Sequence, residues 1–200
     1  MRKAIWVGLL LVCLGIISVR ADGWAERKFG PFLVNQWGQS VPTRVALKGN
    51  RIIGVYFSAH WCGPCRQFTP QLVKFYQDCK RHKKTLEIIF VSSDKNEGEM
   101  RKYMKEANMP WLAVPYGSPI IKKLKEEYQI TGIPTLIILD ANGRIVTPSG
   151  RGFVTSQGVN AYDSWTSAHG TQNGNPSPLQ QPQPKKGNSD GKRKGKKKSY

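Results

Sequence analysis

The sequence predicts an α/β sandwich with parallel inner strands and an antiparallel edge hairpin, and three observations carry that prediction. Three apolar runs, Arg51–Ala59, Leu86–Ser93 and Thr135–Asp140, have the near-continuous hydrophobicity of strands buried on both faces. The segments between them have the spacing of amphipathic helices. Asn142-Gly143 then turns the third run back into Arg144–Thr147, the signature of a tight hairpin.

Taken in order, Asp22 to Ser40 is mixed, and Phe32-Leu33-Val34 is at most a short edge strand before a turn at Gly38. Arg51–Ala59 contains Ile, Val, Tyr and Phe and predicts a central strand. It leads directly into "HWCGPC", after which Phe68, Leu72, Phe75 and Cys79 recur at intervals of four, three and four, one face of a helix that Pro70 should kink. Leu86–Ser93 is the second buried strand. Asn96–Asn108 reads as an exposed amphipathic helix ending before Met109-Pro110. Ser118 caps a further helix to Ile130 with Pro119 at its first position, where a missing N–H costs nothing. Thr135–Asp140 and the hairpin complete the sheet.

The two ends differ from the middle. Arg2 and Lys3 precede an apolar run from Ala4 to Val19, and Val19-Arg20-Ala21 has the small-x-small pattern of a cleavage site, so residues 1–21 are expected to be a cleaved export signal. A membrane anchor is the alternative, but the run falls short of the ~20 apolar residues of a spanning helix. Cys13 would leave with the signal. An exported chain belongs in the periplasm or cell envelope if bacterial, and otherwise in the secretory pathway or outside the cell. Residues 22–169 then form the folded domain and 170–200 a disordered Lys-rich tail, too poor in apolar residues to offset the entropy of ordering. The tail holds eight basic residues, Lys185, Lys186, Lys192, Arg193, Lys194, Lys196, Lys197 and Lys198, against Asp190 alone, within a formal net charge of +18 for the chain. That charge suits an anionic surface or polymer as partner, or simply keeps the chain soluble. No aromatic interleaves the lysines before Tyr200, which argues against stacking on nucleic-acid bases.

Cys62 and Cys65 can be a redox tool, half of a metal site or a structural staple. The order of elements places Cys62 at a helix N-terminus. There, unpaired backbone N–H groups and the positive end of the dipole stabilise thiolate over thiol, which makes Cys62 the expected nucleophile. Cys65, one turn deeper, would keep its proton longer and act as the resolving thiol. Gly63 lets another chain approach closely, and Pro64 has no N–H to lose in a first turn. Pro134 opens a strand expected beside the cysteine-bearing one, where it cannot donate to the ladder.

"WCGPC" with Pro70 five residues after the second cysteine, and "GIPTL" some seventy residues on, resemble the thioredoxin superfamily. Within it, "FTPQLVKFY", "IIFVSSD", "MPWLAVPY" and "GIPTLIILDANGRIV" are similar to the tryparedoxin and nucleoredoxin branch, over roughly Ile52 to Val146. The resemblance implies a thioredoxin-like three-layer α/β/α sandwich and a Cys62–Cys65 redox couple. It also implies a cis Ile133-Pro134 bond that turns the Ile133 backbone toward a docking peptide, and protein thiols or disulfides as substrates. Three departures stand out. Gly63-Pro64 replaces the Pro-Pro usual in that branch. Tyr56 occupies the place where thioredoxins put a buried aspartate that relays the resolving thiol's proton. Those relatives are mostly intracellular, whereas this chain reads as exported.

Among other candidates, zinc would need a second Cys pair, so no metal is assigned, and without a phosphate loop or catalytic triad no cofactor is called for. His60 tunes Cys62 or is merely exposed. Cys79 is expected to be a buried free thiol. Trp61 should shape the docking surface because it abuts Cys62; Trp111 does the same or packs in the core. Two functions result: an exported thiol–disulfide oxidoreductase, or a non-enzymatic binding module tethered to an anionic partner by its tail.

Overall fold

The computed structural model describes residues 23–170, with side chains to residue 167. The expected export signal and all of the expected tail except Gly170 lie outside the described residues. Helix α1 (Trp24–Phe29) leads into strand β1 (Phe32–Val34), strand β2 (Ser40–Pro42) and the short helix α2 (Thr43–Ala46). The central unit is β3 (Ile52–Ser58), α3 (Gly63–Arg81), β4 (Leu86–Ser92), α4 (Glu97–Glu106) and β5 (Leu112–Ala113). Helix α5 (Pro119–Glu127), β6 (Thr135–Asp140), β7 (Ile145–Thr147), α6 (Gly150–Gln157), a 3-10 turn (Gly158–Asn160) and α7 (Ala161–Gly170) follow.

The strands form one mixed sheet in the order β2-β1-β5-β4-β3-β6-β7. β3 pairs parallel with β4, and β4 with β5; β6 runs antiparallel to β3, and β7 antiparallel to β6. Because side chains alternate across a strand, β3 feeds both faces. Ile52 and Tyr56 join α3, α4, α6 and α7 in one core; Ile53, Val55 and Phe57 join α1 and α5 in the other. All seven residues of β3 are buried, so its end, from which the cysteines depart, is held from both sides. This is the three-layer α/β/α sandwich expected from the sequence.

The structure differs from the sequence reading at the edges. Phe32–Val34 is not an edge strand: β1 lies between β2 and β5, and β2 forms the edge. The inner strands β3, β4 and β5 are parallel, and the antiparallel edge is the β6–β7 hairpin, as expected. Two- and three-residue strands such as β5 and β2 are too short to show a period, and pairing rather than pattern defines them. Helices α6 and α7 have no counterpart in the sequence reading; their buried apolar side chains, Val154, Ala161, Tyr162 and Trp165, are separated by Gly158 and polar positions. Helix α7 reaches Gly170, the first residue of the expected tail.

Helix α3 continues through Pro70, buries Phe68, Leu72, Phe75 and Cys79 as expected, and adds Thr69, Val73 and Tyr76. Cys79 is a free, buried thiol, and burial pushes it up to about 12. An unfolded thiol titrates near 8.5, so between those values only the unfolded chain gains the thiolate. The stabilisation from keeping Cys79 neutral is therefore complete below about 8.5 and withdrawn as pH rises toward 12. Iodoacetamide at pH 9 is expected to leave Cys79 unmodified in the native protein and to alkylate it in guanidinium. Rapid native alkylation, read by peptide mass, would show that the thiol is reachable.

Candidate active site

β3 ends at Ser58, Ala59 fills a buried position, and the chain turns with Cys62 N–H donating to Ala59 O at 3.2 Å. Cys62 then stands at the N-cap of α3 in an extended conformation, and its sulfur accepts a hydrogen bond from Cys65 N–H at 3.2 Å. The sulfur thus occupies the place of a capping oxygen, satisfying one of the donors that a helix start leaves open. Cys62 and Cys65 form a disulfide with their Cα atoms 5.2 Å apart. The two differ in access: Cys62 is 6% exposed and Cys65 0%.

The loop before β6 faces this pair. The Ile133–Pro134 bond is cis, and Ile133 O lies 3.7 Å from Cys62 Sγ. Ala59, Cys62 and Cys65 form a small apolar cluster against which Ile133 packs. Pro134 is buried, while Pro64 and Trp61 are exposed. The Trp61 indole N–H donates to Ser93 O at 3.0 Å, which fixes the ring beside the cysteines while leaving it 55% exposed. A Cβ built on Gly63 would meet nothing within 4 Å, so no internal packing demands glycine there. The structure therefore brings together Trp61, Cys62, Gly63, Pro64, Cys65, Ile133 and Pro134.

Other residues did not emerge from the sequence. Asp94, which follows β4, accepts His60 N–H at 2.7 Å and the Ser92 hydroxyl at 2.8 Å, so its carboxylate ties the cysteine loop to the neighbouring strand. Arg66 Nη1 donates to His60 O at 3.2 Å. The available signal for Asp94 was its place just past the C-terminal end of a buried strand, the end from which the cysteine loop also departs. His60 is not simply exposed: its ring lies 5.5 Å from the Tyr103 ring and its Nε2 3.0 Å from Glu106 Oε2. Trp111 is core, 2% exposed, and stands edge-on to Tyr56 and Tyr76. Tyr56 is fully buried, and burial raises its phenol well above the ordinary range.

A family model described as thioredoxin-like matches residues 49–145. Over 149 residues the chain is 43% identical to the nucleoredoxin of Mus musculus, an alignment covering 68% of this chain and 33% of that protein. Among solved structures it resembles a thioredoxin from Wuchereria bancrofti (39% identity, TM-score 0.59, covering 68% of this chain and 94% of that one). It also resembles a tryparedoxin from Trypanosoma brucei (32%, TM-score 0.62, 70% and 97%). The chain belongs to the thioredoxin superfamily, in its tryparedoxin and nucleoredoxin branch. This thioredoxin-like chain spans about a third of the length of the curated nucleoredoxins it matches.

Membership corrects one expectation. Nucleoredoxins are intracellular proteins, and a thioredoxin-like chain so similar to them does not support export. The expected periplasmic, secretory or extracellular placement is therefore corrected, and the expected signal, residues 1–21, lies outside the described residues. The physical reason is that a short apolar run behind two basic residues meets the pattern of a leader by composition alone. Composition does not identify what reads it.

Proposed function

We propose that this thioredoxin-like chain is a thiol–disulfide oxidoreductase acting on protein disulfides or thiols. Cys62 is the nucleophile, and Cys65 resolves the mixed disulfide. The observation that carries the reading is the Cys62–Cys65 disulfide at the start of α3, its outer sulfur capped by a backbone N–H and its inner one sealed. A donor aimed at the outer sulfur stabilises it as thiolate when the bond opens, and thiolate is both the better attacker near neutral pH and the better leaving group. Trp61, Gly63, Pro64, Ile133 and Pro134 receive the substrate polypeptide. The open space over Gly63 and the Ile133–Pro134 loop that faces Cys62 supply room and backbone for it. Reduction of the substrate delivers two electrons from the two thiols and leaves the chain oxidised; the reverse direction makes disulfides.

Cys65→Ser tests the order of events. Mixed with a disulfide-bonded peptide, the reduced variant is expected to accumulate a peptide adduct on Cys62, seen by intact mass and released by dithiothreitol. An adduct formed equally on the Cys62→Ser variant would reject the assignment of the nucleophile.

A further partner is favoured by the eight basic residues between 185 and 198: an anionic surface or polymer. Binding to heparin is expected to weaken steeply with salt and to be lost on removing residues 171–200. Retention after that truncation would place the contact elsewhere.

A further inference from the structure

Beneath the cysteines lies a buried cluster of hydroxyls that the reaction above does not use. Thr69 Oγ1 donates to Cys65 O at 2.9 Å. The same oxygen contacts Tyr56 Oη at 2.7 Å and Tyr103 Oη at 2.5 Å, and Tyr103 Oη contacts Ser58 Oγ at 3.2 Å. None of the four residues is more than 2% exposed. A threonine hydroxyl has one proton and two lone pairs. With that proton on Cys65 O, both tyrosines must donate to Thr69, and Ser58 donates to Tyr103. Every proton is assigned, and the cluster joins three elements: β3 through Tyr56 and Ser58, α3 through Thr69, and α4 through Tyr103.

We infer that Thr69, held by Tyr56 and Tyr103, is a positioning residue for the resolving step. This rests on the proposed oxidoreductase reading. The main chain of Cys65 is tied at both ends, its N–H to Cys62 Sγ and its carbonyl to Thr69. While the disulfide is closed, the covalent bond also fixes Cys65. Once it opens, these ties remain to keep the inner sulfur aimed at the outer one. The turn that follows Cys65 needs the support, because Pro70 has no N–H to donate to Arg66 O in the helix ladder. Burial keeps the Tyr56 phenol neutral, so the cluster stays a set of donors across the working pH range.

The reaction of the pre-reduced chain carrying Cys13→Ser, which removes the thiol outside the domain, with an equimolar amount of the chromogenic disulfide dithiobis-nitrobenzoate separates the two steps. Cys62 thiolate first displaces one nitrothiobenzoate and forms a mixed disulfide. Cys65, its proton passing to solvent, then attacks Cys62 Sγ; the Cys62–Cys65 bond forms, and the second nitrothiobenzoate leaves with the electron pair of the broken S–S bond. Thr69→Val is expected to leave the first release unchanged and to slow the second about five- to tenfold, the rate equivalent of losing the bond to Cys65 O. Thr69→Ser, which restores the hydroxyl, is expected to recover the second rate. A Thr69→Val chain that resolves as fast as wild type would overturn the inference, as would equal slowing of both releases, which indicates general loss of fold. Failure of the oxidoreductase reading looks different: a first release that is as fast in the Cys62→Ser variant as in wild type.

Discussion

Cys62→Ser is expected to lower the reduction of insulin by dithiothreitol to the uncatalysed background, a loss of about a hundredfold or more. Serine keeps the shape of the residue and can still accept the Cys65 N–H, so the turn between β3 and α3 should survive. What disappears is the sulfur chemistry, because a hydroxyl is protonated at neutral pH and cannot exchange with a disulfide. Only Cys62 has any exposure among the bonded pair, so no other sulfur of the site can take its place. Cys79 is remote on α3 and wholly buried, and its raised pKa leaves almost no thiolate below pH 9. Turbidity of reduced insulin is the measurement. Equal rates for wild type and variant would leave the binding-module reading in possession, with Cys62–Cys65 as a static staple.

The largest expected loss of stability is at Trp165. Its side chain is 1% exposed and packs against Phe75 of α3 at 5.5 Å between ring centroids and against Phe153 of α6 at 6.4 Å. It is thus the residue through which α7 and α6 close the core over α3. Trp165→Ala removes that burial and leaves a void between three helices, a change that typically costs about 3–5 kcal/mol. Ile145→Ala on the edge strand β7 is the contrast: the side chain is 50% exposed, and a change within about 0.5 kcal/mol is expected. Urea unfolding compares the two. A Trp165→Ala midpoint close to wild type would mean that α7 contributes little to the domain.

The redox pair was legible because its chemistry is local. A strand running into a cysteine, a two-residue spacer and a helix places the first sulfur at the N-cap whatever surrounds it, and Cys62 is found there. The three long buried runs were legible for a related reason, since burial on both faces requires continuous apolar text. Asp94 was not, because its role is to accept His60 N–H across 34 residues of chain, and a carboxylate after a strand is unremarkable until the strands are paired. For Trp111 the sequence allows docking or core, and its contacts with Tyr56 and Tyr76 assign it to the core. The hydroxyl cluster was invisible for the same reason: Ser58, Thr69 and Tyr103 carry no pattern in common.

By itself the sequence determined the α/β class, the central strand and the cysteine-bearing helix, together with the start of that helix at Cys62, because hydrophobic period and capping act within a few residues. Tertiary structure decided the remainder. It set the order of the short strands, brought Ile133 O to within 3.7 Å of Cys62 Sγ across 71 residues, and gathered four hydroxyls under Cys65. Those arrangements depend on which elements meet, and that is fixed by burial of whole faces rather than by the neighbours of any one residue.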